Sequence, residues 1–350
     1  MNEDDRLVDA VTISQFGGFD KIKFTKLPLK SSDCGENDIE VKVKYCGVNF
    51  ADLYVRQGLI QNIKLPHVPG LECMGIINKV GNKVVSFEVG QRVLCYNGNG
   101  GLYREVVVVN EKNCFAVPDH VQDEIAVCLS ANYLTAYFCL FDIGNLKQGQ
   151  NVLIHSCGGG VGWAATQLAR SVGKVCIVGT ASPSKFSEVE NNGVEFLIPS
   201  QNYLEELQNH SVLKSKKFDV IIDTVGGSNI ANSQALLEPL GKLIVIGVNH
   251  IVTGEEKFSI VKLLKLWWQT KNISVSDLIT NNAVVAGLHL TNLMEAKPEK
   301  VRQTMDHIFD LCKSGVIRPR IDSIYSFPEI AEAMKKLANR ENIGKVIVKI

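Results

Sequence analysis

The segment that most constrains this chain runs Val152-Leu153-Ile154-His155-Ser156-Cys157-Gly158-Gly159-Gly160-Val161-Gly162-Trp163-Ala164-Ala165. A short apolar strand ends, a glycine-rich turn follows, and a helical stretch continues from Val161 to Ser171. Small residues let the backbone approach an anion, and the free N–H groups of a helix N-terminus favour it, so this unit predicts a pyrophosphate site. Aligned to G-x-G-x-x-G, its three positions are Cys157, Gly159 and Gly162, so the first glycine is missing. A glycine pattern alone also suits a turn that packs a helix on a sheet. The context argues for the nucleotide reading: further strands are expected at 174–180, 194–198, 219–223, 242–247 and 283–288, with helical stretches between them. Such alternation predicts βαβ units and a parallel sheet covered on both faces. Gly159, Gly160, Val161 and Gly162 are therefore the first cofactor-binding candidates.

The end of the second strand bears on which dinucleotide fits. An NAD site would place Asp or Glu there for the ribose 2′-hydroxyl. This chain instead reads Gly179-Thr180-Ala181-Ser182-Pro183-Ser184-Lys185. Hydroxyls and an ammonium suit a 2′-phosphate, so Thr180, Ser182 and Lys185 point to NADP(H). Ser182-Pro183 also reads as a helix cap followed by proline at the first helical position, a role compatible with the phosphate site.

Up to about residue 125 the texture differs. Short β-branched runs at 39–45, 75–80, 92–96 and 105–109 alternate with glycine-containing turns, as in a β-barrel or sandwich. At 350 residues the chain exceeds what one core usually organises, and two domains are expected. Its 37 basic and 37 acidic side chains balance, which argues against a protein gripping nucleic-acid phosphates. None of its ten cysteines forms a C-x-x-C pair or stands at metal-ligand spacing from a histidine, so reduced thiols in a cytoplasmic protein are expected. The acidic start MNEDDRLVDA reads as neither a secretory signal nor a transit peptide. Two uncharged stretches, 125–141 and 148–169, read as buried elements, the first falling short of the roughly 20 apolar residues a membrane span needs.

Further residues carry a resemblance. Val48, Asn49, Asp52, Arg56 and Gly58 match V-N-x-x-D-x-x-x-R-x-G, and Pro69-Gly70-Leu71-Glu72 follows. The chain thereby resembles the zinc-free quinone oxidoreductase branch of the medium-chain dehydrogenase/reductase superfamily. Within it, Asn132-Tyr133-Leu134-Thr135-Ala136-Tyr137, Trp267-Trp268, Gly287-Leu288-His289-Leu290 and Asn342-Ile343-Gly344-Lys345-Val346 are most similar to the synaptic vesicle membrane (vesicle amine transport) protein homologues. The resemblance implies a GroES-like β-barrel catalytic domain over residues 1–130, a Rossmann NADP(H)-binding domain over 131–291, and a return to the catalytic domain over 292–350. It also implies no metal, because Asn49 and Leu71 stand where zinc-dependent relatives place ligands.

The same resemblance places Asn49 beside the nicotinamide ribose and Tyr54 in the substrate cleft, as catalytic candidates. Thr135 faces the cofactor, Val248 and Asn249 line the nicotinamide, and Arg340 lies near the 2′-phosphate. Read from the residues alone, Asn49 also suits a turn, Tyr54 a core, Thr135 a helix bonding its own backbone, and Arg340 an exposed helix end. A tyrosine that stacks on adenosine in some quinone reductases is replaced by Ser200, with Tyr203 displaced, and a second cleft tyrosine by Ile60. The implied activity is NADPH-dependent hydride transfer to a small hydrophobic quinone or conjugated enone, in a cytoplasmic homodimer. An enoyl-thioester reductase shares the architecture. The reading from another class is a vesicle- or lipid-binding protein that retains the nucleotide fold, peripheral on organelle membranes. Its discriminating segment is 256–279, where Lys262, Leu263, Leu264, Lys265, Leu266, Trp267 and Trp268 interleave.

Overall fold

A computed structural model describes residues 6–60, 62–252 and 273–350. The lysine- and tryptophan-bearing part of the 256–279 segment therefore lies outside the described residues.

The N-terminal third builds β1 (Arg6–Ile13), β2 (Ile22–Leu29), β3 (Asp38–Gly47), β4 (Glu72–Val80), β5 (Arg92–Tyr96), β6 (Val106–Asn110) and β7 (Cys114–Ala116). Period-2 patterning drives it: Ile39, Val41 and Val43 of β3 all reach the same buried cluster. β3 is the hub of this GroES-like unit. It pairs antiparallel with β4 along one edge, and shares the other between β6 at its start and the C-terminal strand at its end. Two register shifts in the β3–β4 pair bend the sheet. The helix Phe50–Gln57 follows β3 and ends at Gly58, whose φ of +76° admits a left-handed cap.

A second sheet comprises β8 (Asn151–Ile154), β9 (Cys176–Ala181), β10 (Phe196–Pro199), β11 (Phe218–Asp223), β12 (Leu237–Val245) and β13 (Val284–Gly287). All pairs are parallel, in the order β10-β9-β8-β11-β12-β13. Counted from β8, that is 3-2-1-4-5-6, the doubly wound Rossmann order. Alternate residues enter opposite cores: Val152 and Ile154 join one cluster and Leu153 another. Burial on both faces explains the near-continuous apolar strands. β14 (Ile321–Ser326) and β15 (Lys345–Lys349) then carry the chain back, β15 pairing with β3.

The helix Asp123–Ile143 joins the two sheets. It is 21 residues long and apolar enough to cross a membrane by length and composition, beyond the sequence expectation. Two thirds of its apolar window is nonetheless buried inside the protein, where it packs with the helices Gly160–Val172 and Pro298–Lys313. That is the position of a core helix.

Candidate active site

Four observations build the phosphate loop. β8 ends at Ile154, and Ser156 turns the chain at a φ of +56°. Gly162 permits the helix Gly160–Val172 to pack on that turn: a Cβ there would strike the Ser156 carbonyl and lie 2.6 Å from Cys157 Cα. A Cβ on Gly160 would likewise meet the Asn132 carboxamide. The Gly158 carbonyl accepts from Gly344 N–H at 2.9 Å, which brings the C-terminal return against the loop. The first-turn N–H groups of the 13-residue helix lack intrahelical partners, so this cradle fits a pyrophosphate.

Cys157 explains how the loop tolerates its missing first glycine. Its backbone N–H and its thiol both donate to the Thr180 carbonyl, at 3.0 and 3.3 Å. The buried sulfur fills the space over Gly179, where a Cβ would lie 2.5 Å from it. The side chain lost at one position makes room for the one gained at the other.

The residues expected at the 2′-phosphate divide. Thr180 is buried, and its hydroxyl accepts from Ser156 N–H at 3.2 Å, so it braces the loop from behind. Ser182 is exposed and makes no side-chain capping bond, leaving its hydroxyl available. The Lys185 stem packs near Gly158, while its ammonium donates to the carbonyls of Arg340 and Asn342, both at 2.6 Å. Burial lowers the Lys185 pKa, opposed by Asp322 nearby. Arg340 is exposed, at a φ of +56°, and donates to the Asn249 carbonyl at 3.0 Å.

Ligands bind beyond the carboxyl ends of parallel strands where the order reverses, here between β8 and β11. Thr224 and Ser156 meet across that point at 3.2 Å. Past β12, the Tyr54 hydroxyl donates to Asn249 Oδ1 at 2.6 Å and accepts from Val248 N–H at 3.2 Å. Tyr54, Val248, Asn249 and Arg340 are thus brought together. Burial pushes the Tyr54 phenol up to about 12, against the Val248 bond and the Arg340 charge, so it stays a neutral donor. Thr135 is half-buried between two π-helical turns, Ser130–Leu134 and Phe138–Ile143. Such turns recur at functional sites. No hydrogen bond joins its side chain to these residues among those described.

Asn49 belongs to a buried charged hub. Its Nδ2 donates to Glu72 Oε1 at 2.8 Å and to the Gly47 carbonyl at 3.4 Å, and its Oδ1 accepts from Lys345 Nζ at 2.7 Å. Lys345 also pairs with Glu72, and both are buried. Glu72 further accepts from Ser130 Oγ at 2.5 Å and Ala131 N–H at 2.9 Å. Burial alone would raise the Glu72 pKa, but the Lys345 charge and these bonds hold the carboxyl below its ordinary value. Neighbouring Asp52 accepts from Tyr103 OH, Asn49 N–H and Gly70 N–H at 2.7, 2.9 and 3.0 Å. It latches the helix start to the Pro69-Gly70 turn. Arg56 donates to the Gly17 carbonyl and lies 4.1 Å over the Phe19 ring. Asp52, Arg56 and Gly58 of the signature therefore do structural work, and Asn49 joins the charged hub.

Sequence reasoning missed Lys345, Ser130 and Thr224 as site residues. Lys345 opens β15, whose next three residues, Val346, Ile347 and Val348, are buried core, and no local spacing links it to Glu72. Tyr203 is not available to a nucleotide ring: it is buried edge-on to His155 at 4.9 Å, and its hydroxyl donates to Asn229.

A zinc ion does not fit the hub. The Asn49 carboxamide is a poor zinc ligand, and the Lys345 ammonium already occupies the acceptors that a cation would use. Among the described residues no group of three His, Cys, Asp or Glu side chains is arranged to hold a metal. The chain nevertheless matches the family models described as "Alcohol dehydrogenase GroES-like domain" over residues 35–119 and "Zinc-binding dehydrogenase" over 192–348. The synaptic vesicle membrane protein VAT-1 homolog of Danio rerio is 38% identical, with 99% of this chain and 71% of the relative covered. The crystal structure of the human VAT-1 homolog-like protein superposes with a TM-score of 0.84 at 31% identity, over 98% of each chain. An Escherichia coli quinone oxidoreductase complexed with NADPH shares the fold at a TM-score of 0.83 and 23% identity, over 98% of this chain and all of that one. At 38% identity over 99% of its length, and with a matching two-sheet fold, the chain belongs to the medium-chain dehydrogenase/reductase superfamily, in the family of the synaptic vesicle membrane protein VAT-1 homologues.

Proposed function

We propose that the protein is an NADPH-dependent, zinc-independent reductase that transfers hydride to a small hydrophobic quinone or conjugated enone. The observation that carries this reading is the phosphate cradle at the β8–β11 switch point, with the Tyr54 phenol gathered beyond β12 and, among the described residues, no group of three His, Cys, Asp or Glu side chains arranged to hold a metal. When bound, the nicotinamide supplies the hydride. The residues then have to bind, orient and stabilise charge. Gly159, Gly160, Val161 and Gly162 hold the pyrophosphate. Exposed Ser182 and Arg340, in place of an acidic residue, favour the 2′-phosphate, with Lys185 anchoring the Arg340 segment. Val248 and Asn249 flank the nicotinamide, with Thr135 on the other side. Tyr54 offers its O–H to a carbonyl oxygen that gains negative charge, on releasing Asn249.

The test is fluorescence titration with NADPH and NADH, followed by oxidation of NADPH with an ortho-quinone. NADPH should bind more tightly, and tighter NADH binding would overturn the cofactor assignment. Domain borders at 130/131 and 291/292 follow from the same reading. So does a cytoplasmic homodimer joined along the β13 edge, which no further strand covers among the described residues and where Leu240, Val275, Ile279 and Val284 are exposed. Light scattering should return twice the chain mass.

The printed names of the relatives favour a second reading, a vesicle- or lipid-binding protein with little turnover. Binding of NADPH without turnover, together with liposome flotation lost in Trp267→Ala and Trp268→Ala, would select it.

A further inference from the structure

The Asn49 carboxamide has one orientation, and the hub dictates it. Lys345 has only donors to offer and the Glu72 carboxylate only acceptors, so the amide oxygen must face Lys345 and the nitrogen must face Glu72. Both Nδ2 hydrogens are spent, on Glu72 Oε1 and on the Gly47 carbonyl. A carboxamide oxygen has two lone pairs, and Lys345 takes one. What remains of the carboxamide's bonding capacity is one acceptor and no donor. A ligand group at Asn49 must therefore be a hydroxyl or an N–H, and a carbonyl or oxyanion finds no hydrogen there.

We infer that Lys345 is a positioning residue that makes Asn49 an acceptor-only contact, selecting a hydroxyl of the bound cofactor and not the substrate oxygen. The inference rests on the nucleotide-binding reading proposed above. With no hydrogen to give at Asn49, the donor to the substrate oxygen remains Tyr54. The same geometry explains Gly47: a Cβ there would collide with both Glu72 and Lys345, so the charged pair fits only beside a glycine. Lys345 follows Gly344, whose N–H binds the phosphate loop, so one short segment touches both halves of the cofactor site.

Lys345→Met alone would strand a buried carboxylate and is expected to fold poorly. The informative protein is the double variant Lys345→Met/Glu72→Gln, in which the pair is neutral and the amide is free to turn over. Lys345→Arg is the conservative rescue. Affinities are measured for NADPH and for 2′,5′-ADP, the half of NADPH that lacks the nicotinamide ribose. We expect the double variant to lose about 10-fold in NADPH affinity, the scale of one hydrogen bond, with 2′,5′-ADP affinity unchanged. Lys345→Arg should recover most of the loss. Loss of both affinities alike would mean general damage, and loss of neither would mean that Lys345 does not act through Asn49; either overturns the inference. Where the wild type reduces a quinone, kcat should fall on the order of 100-fold in the double variant, the cost of a misplaced reactant, while the quinone KM holds. A raised quinone KM at constant kcat would overturn it as well. If the wild type binds NADPH but reduces no quinone or enone, the proposed reaction fails, and the two affinities still decide the role of Lys345.

Discussion

The phosphate loop and the charged hub lie on either side of Gly344 and are built in opposite ways. The loop is made of backbone. Its shape follows from side chains that are absent, at Gly160, Gly162 and Gly179, and its anion affinity would come from peptide N–H groups. The hub is made of side chains from distant parts of the chain: Asn49, Glu72, Ser130 and Lys345. Gly47 supplies only the space. A backbone site is encoded locally and tolerates little added volume. A side-chain site is encoded at long range, and charge pairing and hydrogen-bond satisfaction decide it.

The comparison breaks most sharply at Gly162. Gly162→Val would drive Cβ into the Ser156 carbonyl, and overpacking of that kind costs about 1–3 kcal/mol, with branching adding to it. We expect cofactor binding to disappear from a fluorescence titration while Asn49 and its partners remain intact. Retained NADPH binding would mean that helix and loop need not pack closely.

Asp52 tests the side-chain half through pH. Burial pushes its carboxyl up to about 6 from an ordinary 3.8, against the bonds from Tyr103, Asn49 and Gly70. The folded state therefore holds this proton more tightly than the unfolded one. Its contribution is fully present below pH 3.8, falls as pH rises through 6, and is gone above that. The span is on the order of 3 kcal/mol. Asp52→Asn should remove this component, so between pH 4 and 7 the wild type should lose that amount of stability relative to the variant in thermal melts. Parallel profiles would show that Asp52 titrates normally.

The smallest effect sharpens the loop itself. Gly179→Ala sets a methyl 2.5 Å from the Cys157 sulfur and should cost roughly 1–2 kcal/mol. Adding Cys157→Gly should recover most of it, so a double-mutant cycle should return a coupling close to the single-variant loss. Additive effects would mean that the cysteine and the glycine are independent.

The cysteines show the same division. Their spacing predicted isolated thiols, and all ten are free. Yet Cys46, Cys73, Cys95 and Cys114 stand opposite one another in register across β3, β4, β5 and β7, and the last two sulfurs lie 3.7 Å apart. Four cysteines spread over 69 positions cannot be seen as a row until the strand registers are known.

Read by itself, the sequence determined what short-range patterning can carry. The strand–loop–helix unit, the parallel strands and the change of texture near residue 131 all rest on periodicity and glycine placement within a dozen residues, where local sterics dominate. In sequence Thr180 and Lys185 read as free to meet a 2′-phosphate, whereas in the fold their side chains bond Ser156 N–H and the carbonyls of Arg340 and Asn342, partners that no local pattern brings near. Lys345 is the clearest case of what only the tertiary structure decided. In sequence it is one lysine in a terminal strand. In the fold, the pairing of β15 with β3 sets its buried ammonium against Glu72 and Asn49, and an ordinary cation becomes the partner that fixes the Asn49 carboxamide.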